Sequence, residues 1–179
     1  MRTKRISIST AVVLILLATT GADSHAQGLT SLDFRIDGLA LNACYDSVAI
    51  RLGPPDSIVS QTDEWSGFTA YYFPRMVIWV NDNDLKIWTL DIYDPSLPTH
   101  RGISIGDPDS LIDVRYATKP IHIYRDEFTR VGPYDSTFHH YDEHRVYWEN
   151  VGESESFLLV LFSKNRTLTK ILLYVGFHE

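Results

Sequence analysis

The apolar positions of the chain follow two different periods. Cys44, Val48 and Leu52 recur every four residues, which places them on one face of a short helix. Asn42 is placed to cap that helix and Gly53-Pro54-Pro55 to end it. A second helix is predicted after Asp107, the N-cap, with Pro108 at the first helical position and Asp109 at the positive helix end. After each helix the period drops to two. Strands are predicted at 57–61, 68–73, 75–80 and 85–93, then at 121–127, 136–141, 144–148, 156–162 and 168–176. Val, Ile, Tyr, Phe, Trp and Thr dominate these runs, as a pleated, half-buried surface requires. Asn81-Asp82-Asn83-Asp84, Asp142-Glu143 and Ser163-Lys164-Asn165-Arg166 supply the turns. Strands joined by turns this short run antiparallel, so the predicted class is α+β.

The pattern occurs twice. Gly38-Leu-Ala-Leu-Asn42 is followed by Asp46-Ser47-Val48 and then Arg51-Leu52-Gly53, while Gly102-Ile-Ser-Ile-Gly106 is followed by Asp109-Ser110-Leu111 and then Arg115-Tyr116-Ala117. Gly38 and Gly102 lie 64 residues apart, as do Arg51 and Arg115, with one residue of slip at the Asp-Ser pair. The expected organisation is two tandem repeats, 34–98 and 99–179, each a short helical segment on an antiparallel meander, preceded by a linker at 27–33.

Residues 1–26 break this pattern. Arg2, Lys4 and Arg5 precede the apolar run Ala11–Ala18, and Ser24-His25-Ala26 forms a small-x-small site. That is the layout of a secretory signal peptide cut after Ala26, and the run is far shorter than the roughly 20 residues a membrane span needs. Cleavage takes the basic count from 16 to 13 and the acidic count from 23 to 22, so the net charge moves from −7 to −9. The expected location is the periplasm or the exterior, with no membrane span in the mature chain.

Composition narrows the function. At 44% hydrophobic the 179 residues are too apolar for a disordered chain and fill one or two domains. The acidic balance argues against nucleic acid, which requires a basic field. One Cys excludes an intramolecular disulfide framework and a Cys-rich zinc site. No phosphate-binding loop, dinucleotide fingerprint or nucleophile elbow is present.

The Gly-apolar-x-apolar entry and the Arg-Leu-Gly-x-Pro exit at Arg51–Pro55 resemble the tandem-repeat β-lactamase inhibitor proteins. They also resemble the small lipoprotein of the outer-membrane barrel-assembly machinery. The resemblance spans residues 34–179 and implies a sheet with a protein-binding face and no catalysis. The chain departs from both families: Cys44 has no partner for the inhibitors' disulfides, and no Cys near the start matches the lipoprotein's lipid anchor. Fold therefore transfers better than partner, and no family residue is carried across.

The hairpin 75–93 offers a binding face. With Val80 opposite Leu85, Ile78 faces Ile87, Trp79 faces Lys86, Val77 faces Trp88 and Arg75 lies opposite Leu90. One side then reads Met76, Ile78, Val80, Leu85 and Ile87, suited to the helices, and the other Arg75, Val77, Trp79, Lys86 and Trp88. Aromatic residues and Arg are enriched in binding hot spots, so Arg75, Trp79, Lys86 and Trp88 are the candidate binding residues. Packing of the two Trp against loops or the other repeat is the alternative. The partner expected is an envelope or extracellular protein, or a glycan. A carbohydrate or small-molecule binder would use the same aromatics.

A third reading is a small metal-dependent hydrolase. With a turn at Asp142-Glu143, His139, Tyr141, His144 and Val146 share a face, and His139 and His144 become diagonal candidate ligands. No third fixed ligand is evident and the spacing matches no known motif, so no cofactor is expected. Cys44 reads as a small core residue, and the scattered carboxylates as turns and caps. Asn81–Asp84 lacks the Gly and Glu of a calcium loop. Asn165-Arg166-Thr167 fits a glycosylation acceptor that matters only in a eukaryotic secretory pathway.

Overall fold

A computed structural model describes residues 28–62, 67–116, 120, 122–130, 138–151 and 155–177. The signal peptide expected at 1–26 lies outside them. The elements run β1 (Arg35–Ile36), β2 (Leu39–Ala40), α1 (Tyr45–Leu52), β3 (Ser57–Thr62), β4 (Gly67–Phe73), β5 (Met76–Asn81) and β6 (Ile87–Ile92). They continue with α2 (Asp109–Arg115), β7 (His122–Arg130), β8 (Phe138–Asn150), β9 (Glu155–Lys164) and β10 (Thr167–Phe177). β1 and β2 form a small hairpin, and the other eight strands form one antiparallel sheet in the order β3-β4-β5-β6-β10-β9-β8-β7. The two four-stranded meanders therefore meet along their last strands and share one continuous sheet. No helix among the described residues is long and apolar enough to cross a membrane.

The helices and the β1–β2 hairpin contribute to one core with the sheet. Met76, Ile78 and Val80 of β5, Ile87, Leu90 and Ile92 of β6, and Ile171 and Leu173 of β10 supply its floor. Phe34, Ile36 and Leu39 from the N-terminal segment, Tyr45 from α1 and Ile112 from α2 cover it. Each of these side chains is worth about 1.5–3 kcal/mol when fully withdrawn from water.

Short clamps tie each helix to the sheet. The Asn42 N–H donates to the Ile87 carbonyl (2.8 Å), the Ile87 N–H to Ala43 (2.9 Å) and the Tyr45 N–H to Leu85 (2.9 Å). Before α2, the Gly106 N–H donates to Leu168 (2.8 Å), the Leu168 N–H to Asp107 (2.8 Å) and the Asp109 N–H to Arg166 (3.1 Å). Bond for bond, the helix-entry residues are 64 apart and the strand residues 81 apart. The left-handed residues recur at the same offsets: Asn42 (φ 61°) with Gly106 (97°), Gly38 (74°) with Gly102 (73°), and Leu85 (55°) with Arg166 (59°).

The clamps correct the expected caps. Asn42 and Asp107 lie before the helices in the clamp, and Cys44 and Pro108 take the N-cap positions without a side-chain bond. The Asp107 carboxylate accepts from the Ser104 N–H at 2.7 Å instead. Cys44 is exposed rather than in the core, because only Val48 and Leu52 of its predicted face reach the helix-side packing. Gly53 ends α1 at φ 76°, as expected.

Two strand expectations also change. The Asp142-Glu143 turn does not form: β8 runs unbroken, Glu143 stays in both neighbouring ladders, and the Asp142 carboxylate accepts from the Asn165 N–H. The 75–93 hairpin is shifted, pairing Val80 with Ile87, Trp79 with Thr89 and Ile78 with Leu90. Its turn is longer because Leu85 and Lys86 close it on Asn81, and a bulge at Trp88 adds one more residue. Met76, Ile78, Val80 and Ile87 keep the helix side, while Leu85 is left in the turn, 46% exposed.

Gly106 tests the second clamp. A Cβ there meets nothing within 4 Å, so Gly106→Ala is opposed by backbone conformation alone. Urea unfolding should show a loss of about 1–2 kcal/mol; an unchanged midpoint would contradict the left-handed geometry at the clamp.

Candidate functional site

Alternation along the strands sends the remaining side chains to the face away from the helices. On β4 and β5 these are Phe68, Ala70, Val77 and Trp79, a buried cluster against which Tyr72 and Trp88 pack. Phe68 and Trp88 meet edge-on with ring centroids 5.1 Å apart, a geometry that adds about 0.5–1.5 kcal/mol to area burial. On β8, β9 and β10 a second cluster gathers Val146, Val160, Phe162 and Leu172, with Leu158 and Tyr174 against it; Tyr141, of the other parity on β8, joins it through Phe162, ring centroids 4.7 Å apart. Every residue of both clusters belongs to a strand.

Between the clusters runs the β6–β10 seam. There the Lys170 ammonium lies 2.6 Å from the Asp91 carboxylate, with side-chain exposures of only 14% and 12%. Leu172 sits opposite Asp91, and Tyr174 opposite the buried Thr89. The face is thus aromatic and aliphatic on both wings with an ion pair at its centre. Trp148 on β8 extends it outward at 43% exposed.

The four residues expected to form the site separate into two groups. Trp79 and Trp88 share the helix-free face, but Trp79 is buried at 6% and supports that face from within, while Trp88 is half-buried. Arg75 lies in the β4–β5 turn, 3.6 Å from Asp37. Lys86 lies at the other end of the hairpin, 3.5 Å from Asp84 and bridged to Cys44. The longer turn takes Lys86 off the face, and the β4–β5 turn takes Arg75 off it toward Asp37. Sequence reasoning missed Tyr72, Lys170, Asp91 and Tyr174, although alternation within 68–73 and 168–176 marks Tyr72 and Tyr174 as outward positions.

Of the two expected metal ligands, the His139 side chain lies outside the described residues. His144 is buried against Phe162, ring centroids 5.4 Å apart. The turn expected to present them at a hairpin tip is absent. Among the described residues no three His, Cys, Asp or Glu side chains are grouped as metal ligands.

The strongest polar contacts elsewhere hold the fold. Arg101 donates to both Asp33 carboxylate oxygens (2.6 and 2.9 Å) and to the Gly28 carbonyl, and lies 4.9 Å from the Tyr116 ring centroid. Segment 28–33 is thereby fixed against the 99–116 region. Burial raises the Asp33 pKa, but the Arg101 bonds, the Thr30 N–H and the Arg101 charge outweigh it and hold the carboxyl below the ordinary 3.8. On the same side of the sheet, Arg145 joins Asp113 of α2 (2.6 Å) to Glu143 (2.6 Å). Burial, with the stacked Tyr71 and nearby Asp46, pushes the Tyr45 hydroxyl up to about 12.

Both the Asp33–Arg101 and the Asp91–Lys170 pairs can be tested by substitution. A lowered folded pKa means that Asp33 contributes stability above the unfolded value, which is lost as pH falls through the lower folded one. Asp33→Asn should therefore cost about 3–5 kcal/mol at pH 7 by stranding Arg101, with a shallower acid limb; equal acid dependence would contradict the assignment. At the seam, Lys170→Met should cost about 3 kcal/mol, and adding Asp91→Leu should restore most of it, since a hydrophobic replacement of both partners is often neutral. Urea midpoints check this, and an additive double variant would contradict a desolvated pair. No protein-family model, curated protein or solved structure matches the chain.

Proposed function

We propose that this is an exported, non-catalytic binding protein whose helix-free sheet face holds a macromolecular partner, with a protein as the favoured class. One observation carries the reading: two aromatic and aliphatic clusters built from strand residues alone flank a central, largely desolvated ion pair. Large aromatics are enriched in protein-binding hot spots, and the two central charges neutralise each other. The side chains that would make contact are half-buried or exposed: Tyr72, Trp88, Tyr174 and Trp148, with Trp79 beneath.

Duplication is part of the proposal. The clamp bonds recurring at offsets of 64 and 81, and a sheet order that brings the two meanders together at their last strands, support two copies of one helix-plus-meander unit. The resemblance to the β-lactamase inhibitor proteins supports the same architecture and the same use of the sheet. The charged, apolar and small-residue order of residues 1–26 supports export to the periplasm or the exterior.

Photocrosslinking in the native envelope tests the reading. A photoreactive side chain at Tyr72 or Tyr174 should give one discrete adduct, and at the helix positions Ile50 or Val114 none. Trp88→Ala should weaken the interaction by about 2 kcal/mol, roughly thirty-fold. Adducts from the helix positions alone, or tryptophan quenching by glycans without any protein adduct, would overturn it.

A further inference from the structure

The two edges of the sheet are built differently. β7 contains Arg125, Asp126, Glu127 and Arg130 within its nine residues, and Arg125 is paired with Glu143 of β8 at 3.1 Å. Charges of this kind are what natural sheets use to discourage an additional strand. β3 reads Ser-Ile-Val-Ser-Gln-Thr: it has no charge, no Pro and no bulge in its six-pair register with β4. Ile58 and Val59 point to opposite faces and are 57% and 41% exposed. Among the described residues β4 is its only strand neighbour. The strand is also held firmly, since the Ser60 hydroxyl lies 3.0 Å from that of Thr69, which donates to Asp82 at 2.8 Å.

We infer that β3 is a strand-addition site that takes an extended, uncharged peptide segment of another protein. The outer edge of β3, which no strand among the described residues pairs, offers backbone donors and acceptors at strand spacing, so its complement is another backbone. Ile58 and Val59 add one apolar contact on each face, which favours a segment with β-branched residues and no charge at its centre. A six-residue edge is about 20 Å long. It forms too small a contact to reach the roughly 1,200 Å² of a stable dimer, which favours a transient peptide over a second copy. Val59 borders the helix-free face beside Ala70, but the site is the backbone edge of β3 and either proposal can hold without the other.

The test is amide hydrogen exchange on the full chain, with and without a capped peptide of four Thr-Val repeats. Exchange at 57–61 should slow at least tenfold at saturating peptide, while 123–129 of β7 stays unchanged. A peptide with two Val replaced by Pro should have no effect. Ile58→Lys and Val59→Lys should each weaken the protection about tenfold without moving the unfolding midpoint. Unchanged exchange at millimolar peptide would overturn the inference. So would concentration-dependent protection of 57–61 in the chain alone with a dimer in sedimentation, which assigns the edge to a second copy.

Discussion

The helix-entry segments are hydrogen-bonded to the first residues of β6 and β10, the two strands at the centre of the sheet. That constraint sets most of the remaining architecture. Once Asn42–Tyr45 and Gly106–Asp109 are bonded there, both helices must lie on the same side of the sheet, and one parity of every strand is committed to the core beneath them. The other parity has no helix to meet. A sheet assembled in this way presents a second apolar face as a consequence of its own alternation. The clamp has a conformational cost, because Asn42, Leu85 and Arg166 sit in the left-handed region that side chains disfavour. Its persistence against that cost indicates how tightly the surrounding packing determines it.

How much of the fold is readable from the sequence depends on the range of the interactions. The nine period-two runs fall on the eight strands of the large sheet, 136–141 and 144–148 both on β8, because alternation is a local property and survives any tertiary arrangement. Helix ends were misplaced by one or two residues at Asn42 and Asp107, since both residues are good caps locally but are engaged by strands some forty to sixty residues away. The Asp142-Glu143 turn failed for a related reason. A polar dipeptide favours a turn in isolation, but here Arg145 and Arg125 satisfy Glu143 and the Asn165 N–H satisfies Asp142, so the strand continues through them.

The candidate face was legible in outline and not in membership. Trp79 and Trp88 are legible as neighbours, but the turn that takes in Lys86 and the β4–β5 turn that takes in Arg75 are not, and through them both cations leave the face. Lys170 and Asp91 lie 79 residues apart, and their approach depends on β6 pairing with β10, a choice among several strand orders that alternation leaves equivalent. Short-range patterning reports which side chains face outward. It does not report which outward side chains become neighbours.

The seam itself shows why that ion pair matters to the architecture. Only four residue pairs join β6 to β10, from Ile171↔Ile92 to Tyr174↔Thr89, compared with ten between β9 and β10. A junction this short is the place where register could slip. A slip of one residue would turn Lys170 toward Leu90 and Ile92, into the helix-side core, where an ammonium finds no carboxylate and its desolvation is uncompensated. The same slip would leave Asp91 buried without its partner. The pair therefore penalises the wrong register more than it rewards the right one, which is the role in which a buried polar contact is most effective. In the observed register it also brings the two aromatic wings of the helix-free face into one plane of contact.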